Sequence, residues 1–286
     1  MWTRALLKEN AKIAFKRNYW TCVIVSVILM LIGAGVEGPS FNFNATANGV
    51  SGSNASMSGG YGNNIFMNFS GRHVILMSLI GVFAIVASII AILFMIFVTN
   101  VITIGGKRYF MENREHKTLV GQIFHAFQSG NYMNCVKTMF FRDLYIFGWA
   151  LLFIIPGIIK SFSYQLVPYI LAENPNISKD RAIELSSEMM DGYKMESFVL
   201  GWSFILWDFA TACTAGLAGI FYVNPYKHAT YAEFYAAVKA DAFNRGITNA
   251  IELPGVSLQG PAPEFHQEFT QQEAQAEFEE DIFAED

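Results

Sequence analysis

The fold class that the sequence predicts is all-α: a polytopic transmembrane helical bundle with amphipathic helices at the membrane interface. Hydrophobic residues make up 53% of the 286 residues and charged residues only 15%, which leaves little polar surface for a soluble fold of this length. Apolar zones long enough to cross a bilayer alternate with short charged segments. Most lysines and arginines lie in those short segments, as in multi-pass membrane proteins.

The charge distribution separates a basic body from an acidic tail. Residues 1–245 carry 19 Lys and Arg against 14 Asp and Glu, whereas residues 246–286 carry none against 10. The basic residues flank apolar runs and form no patch with interleaved aromatic side chains, which argues against nucleic acid as a partner. Anionic lipid headgroups are the expected partner. The tail, 246–286, is expected to be disordered and cytoplasmic, either docking a protein partner or solvated without one.

The first 18 residues predict a basic amphipathic helix. Arg4, Lys8, Lys12 and Lys16 follow one another at a spacing of four, which places four like charges on one helical stripe. Such a stripe is stabilised when it meets anionic phosphate, so we expect this helix to lie on the membrane surface with these four side chains at the headgroups. The alternative is an ordinary solvated helix.

The transmembrane domain, residues 19–245, begins with an uncharged apolar stretch from Tyr19 to Val36. At about 1.5 Å per residue this stretch is long enough to cross a hydrocarbon core of roughly 30 Å. It also exceeds the apolar region of a usual signal peptide, so we interpret it as a retained first span. The following stretch, 37–73, is rich in Gly, Ser and Asn and is expected to form a flexible outer loop.

The second apolar zone runs from Val74 to Ile104 and closes on Gly105-Gly106-Lys107-Arg108. It is longer than one perpendicular span requires, which implies tilt or a cytoplasmic extension. The polar stretch 107–134 that follows has apolar positions at helical spacing and predicts a helix lying along the cytoplasmic interface.

Two further apolar zones, 136–171 and 197–238, are each too long for one simple span. Pro156-Gly157 divides the first, and the region of Gly216 and Gly219 divides the second. Splitting both gives six spans, whereas one kinked helix per zone gives four. The six-span arrangement places 14 of the 19 basic residues inside, as expected for cytoplasmic loops. We favour six, and both arrangements keep the N- and C-termini in the cytoplasm.

The charged segment between these zones predicts a cytoplasmic amphipathic helix over residues 177–194. Ser178 is a suitable N-cap and Gly192 a suitable stop. The apolar positions, spaced mainly three or four apart, are Ala182, Ile183, Leu185, Met189 and Met190. This stripe is expected to cover the cytoplasmic ends of the transmembrane helices.

Small residues in the last zone predict close approach of helices. Thr211, Ala215 and Gly219 are spaced by four, and Ala212 with Gly216 repeats that spacing. Such a stripe serves either packing within the chain or a dimer seam.

Three charged residues inside apolar zones are the candidate site residues. Asp208 lies between Trp207 and Phe209, and a carboxylate within a span requires a partner or a wet cavity. Lys160 and Lys227 are the candidate partners. The alternative is a hydrated Asp208 near the outer interface.

The order of several segments resembles a known family. They are LLFIIPGIIKSFSYQLVPYILAENPNIS from Leu151 to Ser178, AIELSSEMMDGYK from Ala182 to Lys194, NPYKHATYAEFY from Asn224 to Tyr235, and LLKENAKIAFKRNYW from Leu6 to Trp20. Over residues 4–238 the chain is similar to the family catalogued as domain of unknown function 975. The resemblance implies a multi-pass protein of a bacterial plasma membrane, favours six spans, and assigns no functional residues.

Two function classes follow. HExxH, GxSxG, P-loop and dinucleotide-binding patterns do not occur in a supporting context, and the five histidines have no ligand spacing. We therefore expect no catalytic, cofactor-binding or metal residues, and a non-enzymatic structural, regulatory or accessory membrane component with a possible protein partner. The alternative is a small-solute transporter or exporter that uses Asp208 and Lys160.

Overall fold

A computed structural model describes residues 3–33 and 71–255, and every regular element in them is helical. The predicted all-α class is therefore confirmed. The described helices are α1 Arg4–Arg17, α2 Tyr19–Leu31, α3 Gly71–Phe94, α4 Asn100–Glu112, α5 His125–Gln128, α6 Tyr132–Leu152, α7 Ile154–Ser163, α8 Val167–Glu173, α9 Lys179–Met189, α10 Lys194–Trp202, α11 Ile205–Cys213 and α12 Asn224–Asn244. Most of the predicted outer loop (34–70) and of the acidic tail (256–286) lies outside the described residues.

The predicted N-terminal helix is present as α1, and Thr3 caps it by accepting a hydrogen bond from the Leu6 amide at 3.2 Å. Helix α1 packs mainly on α12 and buries Leu7, Ala11, Ala14 and Phe15, while Arg4, Lys12 and Lys16 remain exposed. At Asn18 the chain turns by 102° into α2. A basic helix perpendicular to an apolar one is the arrangement expected where a chain passes from a membrane surface into the bilayer.

The second apolar zone forms one continuous helical rod, α3 and α4 joined by a π-helical turn, Met95–Thr99. Side chains 78–95 are exposed along its first part, and residues from Thr99 onward are mostly buried in the body. Helix α4 continues beyond the apolar zone, through Gly105 and Gly106, to Glu112. The glycines there serve close approach: a Cβ on Gly105 would lie 1.8 Å from the Ile123 carbonyl oxygen, and one on Gly106 would lie 2.7 Å from Leu29.

The predicted interfacial helix over 107–134 was wrong. After α4 the chain forms a loop, a 3-10 turn at Val120–Phe124 and the four-residue helix α5. Of the apolar positions that suggested a helix, Ile123 is fully buried and Leu119 is exposed. The close contact between Gly105 and Ile123 anchors this segment as a compact turn on α4.

The six-span bundle is not confirmed. Within residues 3–33 and 71–255, two helical segments are long and apolar enough to cross a membrane, Ser78–Glu112 and Ile154–Glu173, or three if α1 and α2 form one bent span. The last apolar zone instead breaks into the nine-residue helices α10 and α11, followed by α12 with its buried charged residues.

Each of the last two apolar zones contains a tight helical hairpin. The first hairpin, residues 144–163, joins the end of α6 to α7 at Phe153, and a Cβ on Gly157 would lie 2.6 Å from the Ala150 Cα. The second hairpin, residues 205–223, turns at Ala215 and Gly216, whose φ angles are 51° and 91°.

The predicted stripe of small residues therefore does not lie on one helix. The turn at Ala215 and Gly216 ends it, because a left-handed backbone cannot continue a right-handed helix. Instead, Gly219 returns against Thr211, whose methyl group would lie 2.5 Å from a Cβ at that position. The close approach thus serves packing within the chain.

The amphipathic helix predicted over 177–194 is confirmed as α9. The Ser178 hydroxyl accepts a hydrogen bond from the Arg181 amide at 3.3 Å, and Gly192 ends the segment with a φ of 86°. All five predicted apolar positions are buried, against α6, α7, α8 and α12. The helix therefore covers the body as expected.

Helix α12 is the centre of the body, because α1, α2, α4 and α9 all contact it. Its side chains Ala232, Phe234 and Val238 are fully buried. The ordered body also extends beyond residue 245, the boundary expected from the sequence. Leu253 is fully buried, and the Asn174 amide donates to the Glu252 carbonyl at 3.0 Å. The first part of the predicted tail is thus built into the body.

Candidate functional site

Two of the three candidate residues meet in the structure. Lys227, at the start of α12, forms an ion pair with Asp208 of the second hairpin. The Lys227 side chain is buried, and the Asp208 side chain is about one quarter exposed. Lys227 also lies 5.7 Å from the centroid of the Phe204 ring. This arrangement neutralises a carboxylate within an apolar hairpin, as burial of such a charge requires.

The third candidate, Lys160, lies on the other hairpin. Its ammonium group is 5.5 Å from the centroid of the Trp149 ring and 5.6 Å from that of Tyr164. Cation–π contacts of this kind stabilise a lysine at the edge of an apolar environment. The structure therefore pairs Asp208 with Lys227 and holds Lys160 over aromatic rings.

A deeper ion pair joins α8 to α12. The Lys239 ammonium lies 2.5 Å from a carboxylate oxygen of Glu173, and each side chain is only 2% exposed. Tyr235, one turn before Lys239, stacks on Tyr169 of α8 with ring centroids 4.9 Å apart. The same Tyr169 ring receives the ammonium of Lys107 from α4 at 5.0 Å. Three helices are thus held together by charged and aromatic groups in the centre of the body.

His228 lies between these two ion pairs on α12. Its ring stacks on Phe110 with centroids 5.1 Å apart, and it is 3% exposed. Buried polar and charged residues thus occur along α12 from Lys227 to Lys239.

Further ion pairs and hydrogen bonds link the surrounding segments to this core. Arg114 contacts Glu233 of α12 at 2.9 Å, and Arg108 donates to the Ala172 carbonyl at 2.8 Å. Arg181 of α9 donates to a Glu252 carboxylate oxygen at 2.6 Å. That contact lowers the pKa of Glu252 below its usual value of 4.5 and raises the pKa of Arg181.

Most of this core was missed from the sequence. Lys107, Glu173, Glu233 and Lys239 are buried, yet they lie at or near the ends of apolar zones, where charged residues are expected to be solvated. The usable signal was the segment after Asn224, in which Lys227 and Glu233 interrupt an apolar zone and Lys239 directly follows it. Ionisable residues inside such zones indicate internal partners.

The arrangement as a whole favours a structural role for these charges. Asp208, Glu173, Glu233 and Glu252 each contact a cation. The pairs join segments that are distant in the chain, and a buried, paired charge is costly to separate. This network fixes helix positions.

Fold and site define an all-helical protein. Its body contains buried ion pairs, and several of its helices expose apolar side chains. A family model described as "Protein of unknown function (DUF975)" matches residues 63–242, more than half of the chain. The chain belongs to that family. No curated protein and no solved structure matches it.

Proposed function

We propose that this chain is an integral membrane protein of a bacterial plasma membrane that acts as a non-enzymatic structural, regulatory or accessory component. The observation that carries the proposal is the rod Ser78–Glu112, whose most apolar window has a mean hydropathy of 3.0 and is 0% buried within the chain. The part of the rod before the buried Thr99, residues 78–98, extends over about 31 Å at 1.5 Å per residue. That length matches a hydrocarbon core of roughly 30 Å, and water is an unfavourable environment for such a surface.

The contacts within the body support a multi-pass arrangement with both termini in the cytoplasm. Two of the segments that the six-span arrangement places inside, 172–196 and 239 onward, are joined by the pairs Glu173–Lys239 and Arg181–Glu252. Segments in direct contact occupy one side of the bilayer. The four-span alternative puts residues 172–196 opposite residues 239 onward, so these contacts count against it.

An accessory role is favoured over transport. The transport hypothesis requires Asp208 and Lys160 to line one path, but they lie on different hairpins, and Asp208 is paired with Lys227. Exposed Arg4, Lys12 and Lys16 supply a surface for anionic headgroups, and the charged face of α9 supplies one for a protein partner.

The test is isolation from native membranes. Alkaline carbonate should leave the protein in the membrane pellet, and mild-detergent purification should return a second protein in fixed stoichiometry. Release by carbonate would contradict the membrane assignment, and repeated recovery of a lone chain would contradict the accessory role. A solute that raises the melting temperature would favour transport instead, because a ligand that binds the folded state stabilises it.

A further inference from the structure

We propose that the two hairpins insert into the cytoplasmic leaflet from the body and turn back without crossing, so that lipid acyl chains cover their tips. This inference rests on the proposed membrane location. It replaces the two pairs of crossings in the six-span arrangement by two re-entrant hairpins, and it leaves the side assigned to every segment between them unchanged.

The arms of both hairpins are half as long as a crossing requires. In the first hairpin, residues 144–152 and α7 extend over roughly 14 and 15 Å at 1.5 Å per residue, about half of the hydrocarbon thickness. The remainder of that zone belongs to the body, where Cys135 and Met139 of α6 and Leu166 to Glu173 around α8 are buried. In the second hairpin, α11 has nine residues and reaches the same depth.

The tips expose continuous apolar surface. Leu151 to Ile155 form the tip of the first hairpin, and each of these five side chains is at least 65% exposed. In the second hairpin, Leu217 beside the turn is 59% exposed, and Leu206 and Phe209 on the first arm are 78% and 70% exposed. Burial of such side chains in hydrocarbon is favourable relative to exposure to water. Leaving both tips in water would forfeit that stabilisation.

The threonine hydroxyls and the aspartate of the second hairpin have partners within the chain, as an apolar solvent demands. The Thr211 hydroxyl donates to the Trp207 carbonyl at 2.9 Å, and the Thr214 hydroxyl donates to the Ala210 carbonyl at 3.0 Å. Asp208 is neutralised by Lys227. Close approach of the arms at Gly157 and Gly219 leaves little space for water between them.

Cations mark the base of the second hairpin. Lys8 of α1 lies 4.5 Å from the centroid of the Phe204 ring and donates to the Ser203 carbonyl at 3.4 Å. Lys8 belongs to the basic stripe expected at the headgroups, and α1 is nearly perpendicular to α2. The headgroup level therefore passes through the hairpin base, which leaves α11 and the turn on the hydrocarbon side.

Cys213 is a natural labelling site near the tip of the second hairpin. Of its three cysteines, Cys22 and Cys135 are buried, whereas Cys213 is exposed and directly precedes the turn. The experiment measures the labelling rate of Cys213 by a charged, membrane-impermeant maleimide, in spheroplasts and in inside-out vesicles. Lys117→Cys and Asn54→Cys, each in a Cys213→Ser background, serve as the inside and outside controls.

In both preparations we expect Cys213 to react at least tenfold more slowly than the accessible control, and to react fully after denaturation in detergent. A nitroxide on Cys213 of the purified protein in phospholipid vesicles should be relaxed by oxygen and not by a water-soluble nickel chelate. Phe153→Cys, in the same Cys213→Ser background, should behave alike at the first tip.

Three results would overturn the inference. Fast labelling from outside means that the hairpin crosses the bilayer, and fast labelling from inside means that the tip lies in water. Slow labelling in native membranes with fast labelling in pure lipid vesicles means that a partner protein covers the tip. None of these results releases the chain from the membrane, so carbonate release remains a separate failure of the proposed function.

Discussion

The buried pair of Glu173 and Lys239 shows at the scale of single residues how strongly charge can constrain this body. Removing one partner leaves the other charge buried and uncompensated, which typically costs about 3 to 5 kcal/mol. We therefore expect Lys239→Met to lower the free energy of unfolding by that amount. The double variant Glu173→Gln, Lys239→Met should recover much of the loss. Denaturant unfolding in detergent micelles measures both, and simple additivity of the two single losses would contradict the coupling.

Glu252 gives the body an acid-sensitive contact outside the apolar segments. Arg181 lowers the pKa of Glu252 from 4.5, so the stabilisation is complete above that value and is lost as the pH falls through the lowered folded value. The melting temperature of Glu252→Gln should lie below that of the parent at pH 7, and the two should converge in acid. Glu184→Gln, at a more exposed partner of Arg181, should change little. A difference that stays unchanged as the pH falls into the strongly acidic range would exclude this linkage.

At the scale of the elements, alanine substitutions at two glycines distinguish the effect of close packing from the effect of helix propensity. Gly105 lies against the Ile123 carbonyl, whereas a Cβ on Gly81 of α3 would meet nothing within 4 Å. Gly105→Ala should destabilise the protein by at least about 1 to 3 kcal/mol through overpacking. Gly81→Ala should be neutral or stabilising, because alanine is the better helix former by up to about 1 kcal/mol. Thermal unfolding measures both variants, and equal effects would refute the role of close approach.

Helix α9 allows a matched test of its buried stripe. Ile183 is 7% exposed, and a carboxylate there should cost a few kcal/mol. Ser187→Asp, on the partly exposed face of the same helix, should cost only a few tenths. If purified Ile183→Asp melts like the parent, α9 is a solvated connector and not a cover.

Local sequence patterns predicted individual helices, but they could not predict contacts between residues that are distant in the chain. Helix α9 was predictable because its cap, stop and apolar stripe all lie within 18 residues. The Glu173–Lys239 pair joins residues 66 apart, and no local pattern identifies one as the partner of the other. The close contact of Gly105 could not be predicted for the same reason, since a glycine in an apolar run indicates either a break or a close contact, and only the position of Ile123 decides.

At the scale of the whole molecule, the side assigned to each segment can be tested with reporter fusions. A fusion after Asn54 should report outside, and fusions after Lys117, Glu188 and Ala250 should report inside. The position after Glu188 is decisive because Arg181 contacts both Glu188 and Glu252, which requires one side for both segments. An outside signal there would restore the four-span arrangement.

The position of α12 at the centre of the body also sets the order in which the chain can fold. The Tyr226 hydroxyl donates to the Lys8 carbonyl across 218 residues. At about 5 to 20 residues per second, synthesis of that interval takes roughly 10 to 40 s. Throughout this time Leu7 and Phe15 of α1 lack the helix that later buries them. We therefore expect α1 to need shielding, by a membrane surface or by a chaperone, until α12 leaves the ribosome.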